Sequence, residues 1–330
     1  MVRRVGICLA ANLAVLAVFL LLRQSLPLPH AAEKTAAVAM AEQAQTVIGP
    51  RITGPEYTLI TTSLAPPAAK RLSRHPDFAA VAVQWLRDAG IGGGDRVGVN
   101  LSGSFPALNI AVLAAVRAVG AEPVIVSSVG ASTWGATDPE FTWLDMERQL
   151  NRAGLWSWHS TAASPGGVGD RGGGLQPEGK ELVLAAIRRN QTPLLASATL
   201  RQAIDSRLEL YRGSEGVLPP ALINVGGGHV IFGESGHRSP LPEGLNFGYH
   251  PLLSAHDGLA AEFLQSNRPV IHFLNIAQIA AQYGIRPDTP PGASGAFYSR
   301  QLSGPLRLLA GIWLTGVAAF LWRVRPQKEL

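Results

Sequence analysis

The sequence has little cysteine and little charge. Its 330 residues include one cysteine, Cys8, and 15% charged residues, against about 25% in an average soluble domain. A single cysteine excludes an intramolecular disulfide and any metal site built from several cysteines. Ile7 precedes Cys8 where a lipoprotein signal needs a small residue, so we expect an apolar, membrane-buried side chain. The hydrophobic content of 47% argues against intrinsic disorder.

The net charge of +5 does not indicate a nucleic-acid partner. Most of the excess flanks two apolar stretches at the ends of the chain, and the charged residues there are Arg3, Arg4, Arg23, Arg307, Arg323, Arg325, Lys328 and Glu329. The rest of the chain has 21 basic and 22 acidic residues and is nearly neutral. A nucleic-acid-binding domain would carry a basic patch of its own. We therefore expect no nucleic-acid partner.

The two apolar stretches predict transmembrane helices. Residues 5–22 are 18 residues without a charge, just long enough to cross a bilayer, and residues 306–322 form the second stretch. Because positively charged flanks favour the cytoplasmic side, Arg3 and Arg4 predict a cytoplasmic N terminus. The main domain is then expected on the extracytoplasmic side of the inner membrane. A cleavable signal peptide and a buried C-terminal helix are the alternatives. The expected organisation is a membrane anchor (1–23), a stalk or linker (24–50), an extracytoplasmic α/β domain (51–304), a transmembrane helix (305–323) and a cytoplasmic tail (324–330).

Alternating strand and helix patterns predict an α/β fold with a mostly parallel sheet and flanking helices. RVGVN (96–100), a helix from Phe105 and PVIVS (123–127) form a β-loop-α-β unit, whose strands are parallel and joined by a right-handed crossover. Further helices are expected at 31–45, 76–89, 141–153, 177–190, 197–211 and 275–283, and further strands at 221–224 and 269–273.

Loops of small residues at the predicted strand ends are candidate ligand-binding segments. Open α/β sheets bind ligands beyond the carboxyl ends of their strands. Glycine lets the backbone approach a ligand, and helix N-termini favour a carboxylate or phosphate. No loop is a Walker or GxGxxG sequence, so each is also compatible with a purely structural turn. The candidate ligand-binding residues are Asn100, Ser102, Gly103, Ser104, Ser127, Ser128, Gly130, Asp138, Asn224, Gly226, Gly227 and Gly228.

A serine nucleophile is a second possibility for the same loops. Ser102 and Ser104 lie between a strand and a helix, where hydrolases expose a catalytic serine, although the segment is not G-x-S-x-G. Ser104 is also a candidate N-cap for the helix that follows. The catalytic candidates are Ser102, Ser104 and His272, with His229 and His250 as other possible bases.

Other chemistry is less clearly indicated. The histidines form no H-x-x-x-H pair, so no metal site is predicted, and no cofactor is indicated. A glycine-rich loop at 166–174 contains Asp170, and either a lid over a site or a solvated surface loop fits this composition.

Three long segments of the chain are distinctive, EYTLITTSLAPPAAKRLSRHPDFAA (56–80), GDRVGVNLSGSFPALNIAVLAAV (94–116) and PVIVSSVGASTWGATDPEFTWLDME (123–147), and shorter strings follow at 169–179, 223–228 and 269–276. Together they resemble the bacterial poly-γ-glutamate system protein family. The resemblance implies an accessory role in making or exporting poly-γ-glutamate, a capsular or secreted anionic polymer. It supplies no catalytic residue.

We therefore expect a membrane-anchored accessory protein of a poly-γ-glutamate synthesis or export system. It would bind a carboxylate-bearing polymer or partner subunits, and its partners would be the bilayer, the subunits of the synthase or export complex and poly-γ-glutamate itself. Two alternatives remain open at this point. One is an extracytoplasmic serine hydrolase or transferase acting on γ-glutamyl bonds, and the other is a purely structural subunit of a membrane complex.

Overall fold

The computed structural model describes residues 24–233, 241–248 and 258–301, together with residues 312, 313 and 316. The chain divides into two compact units, residues 1–28 with 298–330, and residues 29–297. In the first unit, β1 (Gln24–Pro27) pairs antiparallel with β12 (Tyr298–Gln301). All other elements named below belong to the second unit.

A six-stranded sheet forms the centre of the second unit. Its strands are β3 (Arg96–Ser102), β4 (Glu122–Ser128), β6 (Ala162–Ser164), β9 (Leu222–Val225), β10 (Gly244–Asn246) and β11 (Val270–Phe273). Their order is β10-β11-β9-β3-β4-β6, with β10 antiparallel to β11 and the other pairs parallel. The chain runs from β3 outward to β4 and β6, and later from β9 outward to β11. The strand order thus reverses between β3 and β9, the type of switch point at which open α/β sheets bind ligands.

Helices cover both faces of this sheet. The sequence positions of the helices are α1 (Ala31–Ile48), α2 (Pro67–Leu72), α3 (Asp77–Asp88), α4 (Pro106–Val119), α5 (Trp143–Arg152), α6 (Pro177–Arg189), α7 (Leu200–Arg212), α8 (His229–Phe232), α9 (Leu259–Gln265) and α10 (Ile276–Tyr283). Two short parallel strand pairs lie outside the main sheet, β2 (Thr61–Ser63) with β5 (Ala131–Ser132) and β7 (Gly166–Gly167) with β8 (Arg171–Gly173).

The alternation of side chains along β3 assigns its residues to the two faces. Val97, Val99 and Leu101 are fully buried in the core that contains α1, α3 and α4. Gly98 faces α7 and α9, because a Cβ added to it would lie 3.3 Å from the Tyr211 ring. Asn100, two residues further on, shares that face. Polar groups at the end of β3 therefore point toward α7.

The predicted α/β class, with a mostly parallel sheet and flanking helices, is confirmed. The expected strand at 96–100 extends to Ser102, and the helix expected from Phe105 begins at Pro106. Proline fits the first turn of a helix because its missing N–H would have no partner there. Gly120, with φ +80°, ends the same helix.

The transmembrane part of the predicted fold is corrected. Within the described residues, no helix is both long enough and apolar enough to cross a bilayer. The stretches on which that prediction rested, 5–22 and 306–322, lie outside the described residues, apart from residues 312, 313 and 316.

The stalk predicted for residues 24–50 also differs from the structure. Residues 31–48 form α1, which packs against α3 and α4 and buries Ala37, Ala41 and Ala44 completely. Lys34 is buried as well, and its Nζ donates a hydrogen bond to the backbone oxygen of Ala296 at 2.8 Å. The buried face consists mainly of alanine, so its apolar periodicity is weak in the sequence. The small side chains nevertheless let the neighbouring helices approach closely.

Replacing Ala41 with leucine tests the packing of α1. We expect Ala41→Leu to lower the free energy of unfolding by about 1–3 kcal/mol, because added methylenes overpack a filled core. Ala39→Leu, on the exposed face of the same helix, should change it by less than about 0.5 kcal/mol. Urea denaturation followed by circular dichroism measures both. A solvated stalk would instead give the two variants equal stability.

Candidate functional site

A cavity of about 780 Å³ lies where the carboxyl ends of β3 and β9 meet. This volume is within the range of roughly 300–1,000 Å³ that is typical of small-molecule sites. Its walls come from the loops that follow β3, β4, β9 and β11, from residues 62–66 with α2, and from the glycine-rich loop at 166–170. The cavity therefore occupies the switch point of the sheet.

Seven of the twelve predicted ligand-binding residues line this cavity. They are Asn100, Ser102, Ser104, Ser128, Gly130, Gly227 and Gly228. They come from three separate strand ends, and the fold brings them to one place. Their role in binding stays a prediction.

Ser127 and Asp138 lie elsewhere. Ser127 points to the sheet face opposite Ser128, and its hydroxyl is 2.7 Å from that of Ser160. Asp138 forms a half-exposed ion pair with Arg51, with 2.9 Å between Oδ2 and Nη2. Both side chains have structural partners away from the cavity.

Gly103, Asn224 and Gly226 shape the site without lining it. A Cβ on Gly103 would lie 2.5 Å from the backbone oxygen of Val129, so only glycine fits between the two loops. Gly226 has φ +98°, which favours glycine, and a Cβ there would lie 3.0 Å from the Cβ of Ser102. Asn224 is fully buried and belongs to the polar network described next.

A buried ion pair joins Arg207 to Asp170, which is one of the residues that line the cavity. Arg207 is 0% exposed and Asp170 is 4% exposed, and 2.6 Å separates Nη1 from Oδ2. The Nη2 of Arg207 donates to the hydroxyl of Ser164 at 2.8 Å, and that hydroxyl lies 2.7 Å from Oδ1 of Asp170. The charges are thus compensated by each other and by a shared serine.

A chain of hydrogen bonds continues from Arg207 across the sheet. Its Nε donates to Oδ1 of Asn100 at 3.3 Å, and Nδ2 of Asn100 donates to Oδ1 of Asn224 at 2.7 Å. Nδ2 of Asn224 then lies 3.0 Å from Nδ1 of His272. Asn100, Asn224 and His272 are register partners on neighbouring strands, which is why their side chains meet on one face.

This series of hydrogen bonds determines the protonation state of His272. Because the Asn224 amide nitrogen can only donate, Nδ1 of His272 accepts, and the proton of the neutral ring is assigned to Nε2. Burial lowers the pKa of His272 to about 4, so the ring stays neutral near pH 7. Its Nδ1 lone pair is already used and does not receive a proton from a serine.

Ser102 and Ser104 do not hydrogen-bond to His272. The hydroxyl of Ser102 accepts from the backbone N–H of Ser104 at 3.2 Å, and the hydroxyl of Ser104 accepts from the backbone N–H of Ser132 at 3.0 Å. Ser104 is therefore not the N-cap of α4, and that expectation is corrected. The catalytic role predicted for Ser102, Ser104 and His272 stays a prediction that this geometry does not favour.

Lys70 is a residue of the site that the sequence did not reveal. It lies in α2, 4% exposed, with Nζ 2.8 Å from Oγ of Ser132, which lines the cavity. Nζ also contacts the backbone oxygen of Ser104 and lies 3.8 Å from the centre of the Phe105 ring. Burial lowers the pKa of Lys70 to about 7. The six-residue helix is too short for a periodicity that would have shown its inward direction.

Arg207 was missed for a different reason. It lies on the same helix face as the buried Ala203, Leu208 and Tyr211, so helical spacing alone places it on the apolar side of α7. A charged residue on an apolar face is a signal of a buried pair. Its partner Asp170 lies in a glycine-rich loop, and no pattern in the sequence relates the two.

Comparisons with protein-family models, curated proteins and solved structures gave no match to this chain. The poly-γ-glutamate system assignment rests on the segments quoted above and stays a prediction. Within the part of the chain that the structure describes, no cluster of histidine, cysteine, aspartate or glutamate side chains is arranged to hold a metal ion.

Removing one member of the buried pair should be costly. We expect Arg207→Met to lower the free energy of unfolding by about 3–5 kcal/mol, because it leaves the Asp170 carboxylate buried without its partner. Arg51→Met, which breaks the half-exposed pair with Asp138, should cost less than about 1 kcal/mol. Equilibrium denaturation of both variants measures the difference. Equal losses would contradict a buried, mutually dependent pair.

The buried imidazole also predicts a pH dependence of stability. The folded-state pKa of His272, about 4, is below the value of about 6.5 expected after unfolding. The unfolded chain therefore binds the proton first, and stability is lost as the pH falls from 6.5 to 4. The loss reaches about 3 kcal/mol.

The measurement compares denaturation curves of wild type and His272→Gln between pH 7 and pH 4. We expect the variant to lose less stability over this interval, whatever its stability at pH 7. The exposed His159→Gln is the matched control and should follow wild type. A His272→Gln variant with the wild-type pH dependence would contradict the assignment of a neutral, buried ring.

Proposed function

We propose that the protein is an accessory protein of a poly-γ-glutamate synthesis and export system and that its cavity binds a carboxylate-bearing segment of a γ-glutamyl chain. The observation that carries the binding part is the convergence of strand-end loops on one cavity at the switch point. The system itself is proposed from the resemblance of the sequence segments. A location at the cell membrane and contacts with other subunits stay predictions.

Hydrogen-bond donors in the cavity suit an anion. Gly227 and Gly228 line it, and their backbone N–H groups donate to no acceptor among the described residues. Ser102 and Ser104 line the same space with their hydroxyls, whereas the hydroxyl of Ser128 donates to Oδ1 of Asp170 at 3.3 Å. Backbone N–H and hydroxyl groups of this kind bind carboxylates through short-range hydrogen bonds.

The N-terminus of α10 adds to this preference. Residues 275–277 line the cavity, and the first turn of a helix carries a partial positive charge. Apolar side chains complete the wall, among them Leu64, Leu72 and Leu274. A γ-glutamyl unit has two methylene groups between its carboxylate-bearing carbon and its amide, so a mixed polar and apolar wall matches its chemistry.

Recognition of this kind acts at short range. Asp170 lines the cavity, and its charge is compensated by that of Arg207, so the pair adds no net charge to the wall. Outside the terminal segments the sequence is nearly neutral, and a neutral protein steers a polyanion only weakly from a distance. We therefore expect binding to depend on the arrangement of the donors and to change little with ionic strength.

Filling the cavity tests the proposal. Gly228 has φ −61°, and a Cβ added to it would have its nearest neighbour, Cγ2 of Val230, at 4.0 Å, so leucine is accommodated without backbone strain. We expect calorimetric binding of a γ-glutamyl hexamer to wild type, with an affinity at least about 10-fold lower in Gly228→Leu. That loss corresponds to about 1.4 kcal/mol.

The matched control is Gly93→Leu. Gly93 is exposed in a turn outside the cavity, and an added Cβ has no neighbour closer than 3.9 Å. This variant should bind as wild type does. No binding heat from the hexamer with folded wild-type protein, or equal binding by both variants, would overturn the proposed ligand site.

A further inference from the structure

We propose that Ser132 and Lys70 are a nucleophile and its base, and that they make the cavity an acyl-transfer site for an amide or ester carbonyl. The choice of a γ-glutamyl amide as the substrate rests on the proposed function. The pair itself does not, because it is argued from the contacts of the two side chains.

Ser132 is positioned by the backbone on two sides. It lies in β5, where it is the register partner of Ser63 in β2, and its N–H donates to the Ser104 hydroxyl at 3.0 Å. It is 6% exposed and lines the cavity. A nucleophile needs this combination of a fixed backbone and access to a ligand.

Lys70 has the surroundings of a base. The groups in contact with its Nζ are the Ser132 hydroxyl, the Ser104 carbonyl and the Phe105 ring, and none of them carries a charge. Burial alone lowers the pKa of Lys70 to about 7. A neutral amine has one lone pair and two N–H groups. The lone pair receives the Ser132 proton while an N–H donates to the Ser104 carbonyl.

Ser104 supplies a donor for the developing oxyanion. Its hydroxyl oxygen accepts from the Ser132 N–H, and no acceptor for its hydrogen is assigned in the described part of the chain. That hydrogen can therefore be donated to the carbonyl oxygen of a substrate attacked by Ser132. A hydrogen bond placed where charge develops lowers the barrier of acyl transfer.

The reaction balances with water as the second substrate. Oγ of Ser132 forms a bond to the carbonyl carbon while its proton passes to Nζ of Lys70. The tetrahedral intermediate then releases the amine as the C–N bond breaks, and Lys70 returns the proton to the leaving nitrogen. Water attacks the resulting ester with Lys70 again taking the proton. As the C–O bond to Ser132 breaks, Lys70 returns that proton to Oγ of Ser132, which gives a carboxylic acid, the free serine and the neutral amine.

A second buried lysine shows what is specific to this pair. Lys34 is 0% exposed, and burial lowers its pKa to about 8, but its partners are an amide oxygen of Gln84 and the backbone oxygen of Ala296. No hydroxyl is available for it to activate. Lys34 is therefore the matched control for the loss of a buried lysine.

The test uses a fluorophosphonate, which bonds covalently to activated serines. With wild-type protein we expect one adduct by intact mass, mapped to Ser132 by peptide mass spectrometry, and a labelling rate that rises with pH through about 7. Ser132→Ala should give no adduct. The labelling rate of Lys70→Met should be at least about 100-fold lower, which is the size of a general-base contribution. Lys34→Met, which removes a buried lysine outside the cavity, should label as wild type does.

The pair is overturned if folded wild-type protein gives no Ser132 adduct, or if Lys70→Met labels as fast as wild type. The wild-type mapping and pH profile need no variant, so a variant that fails to fold does not remove the test. Binding of the hexamer to Ser132→Ala is measured separately from labelling, so the two proposals can fail independently. If the hexamer binds but wild-type protein is not labelled, the ligand site stands and the Ser132–Lys70 pair is rejected. If wild-type protein is labelled but the hexamer does not bind, the pair stands and the ligand site is rejected.

The substrate class has its own readout. Release of p-nitroaniline from a γ-glutamyl anilide, faster than from the α-glutamyl isomer and lost in Ser132→Ala, supports a γ-glutamyl amide. Equal release from the two isomers, or release that survives in Ser132→Ala, overturns it.

Discussion

The buried contact between Arg207 and Asp170 is the constraint on which the site depends. Neither charge is stable away from water without the other, so α7 and the glycine-rich loop are held together. Asp170 has φ +64°, a conformation that is unfavourable for a residue other than glycine and that the pair stabilises. A loop whose composition is compatible with a mobile lid is thereby fixed at this residue. One wall of the cavity is consequently organised before any ligand arrives.

The same cation orders the polar row at the carboxyl ends of the strands. Each hydrogen bond from Arg207 through Asn100 and Asn224 to His272 has one direction, because the guanidinium can only donate at the start. A row that begins with a donor ends with an acceptor, so His272 is neutral and its accepting nitrogen is used. This network does not favour His272 as the base that the sequence suggested. The proton transfer proposed for Ser132 and Lys70 uses groups that lie outside the network.

The predictable parts of the fold are those in which one residue's environment follows from its neighbours in sequence. The strand patterns at 96–100 and 123–127, the proline that begins α4 and the glycine that ends it all express local geometry. The strand-end rule then placed seven polar or small residues around one cavity. The failures are long-range. The inward direction of Lys70 depends on Ser104 and Ser132, and that of Asp170 on Arg207. The buried face of α1 consists mainly of alanine, and its burial depends on close packing against α3 and α4.

A continuous row of contacts along the cavity joins the proposed ligand site to the proposed nucleophile. Lys70 reaches Ser132, the N–H of Ser132 meets the Ser104 hydroxyl, the N–H of Ser104 meets the Ser102 hydroxyl, and Gly226 packs against Ser102 just before Gly227 and Gly228. A ligand held by those glycine N–H groups and attacked by Ser132 would carry a carboxylate and a carbonyl on one chain. The γ-glutamyl unit has that form, whereas in an α-linked unit the amide carbonyl and the free carboxylate exchange places. In a cavity whose charges are already paired, the proposed site would distinguish the two linkages by this exchange of positions and not by the number of charges.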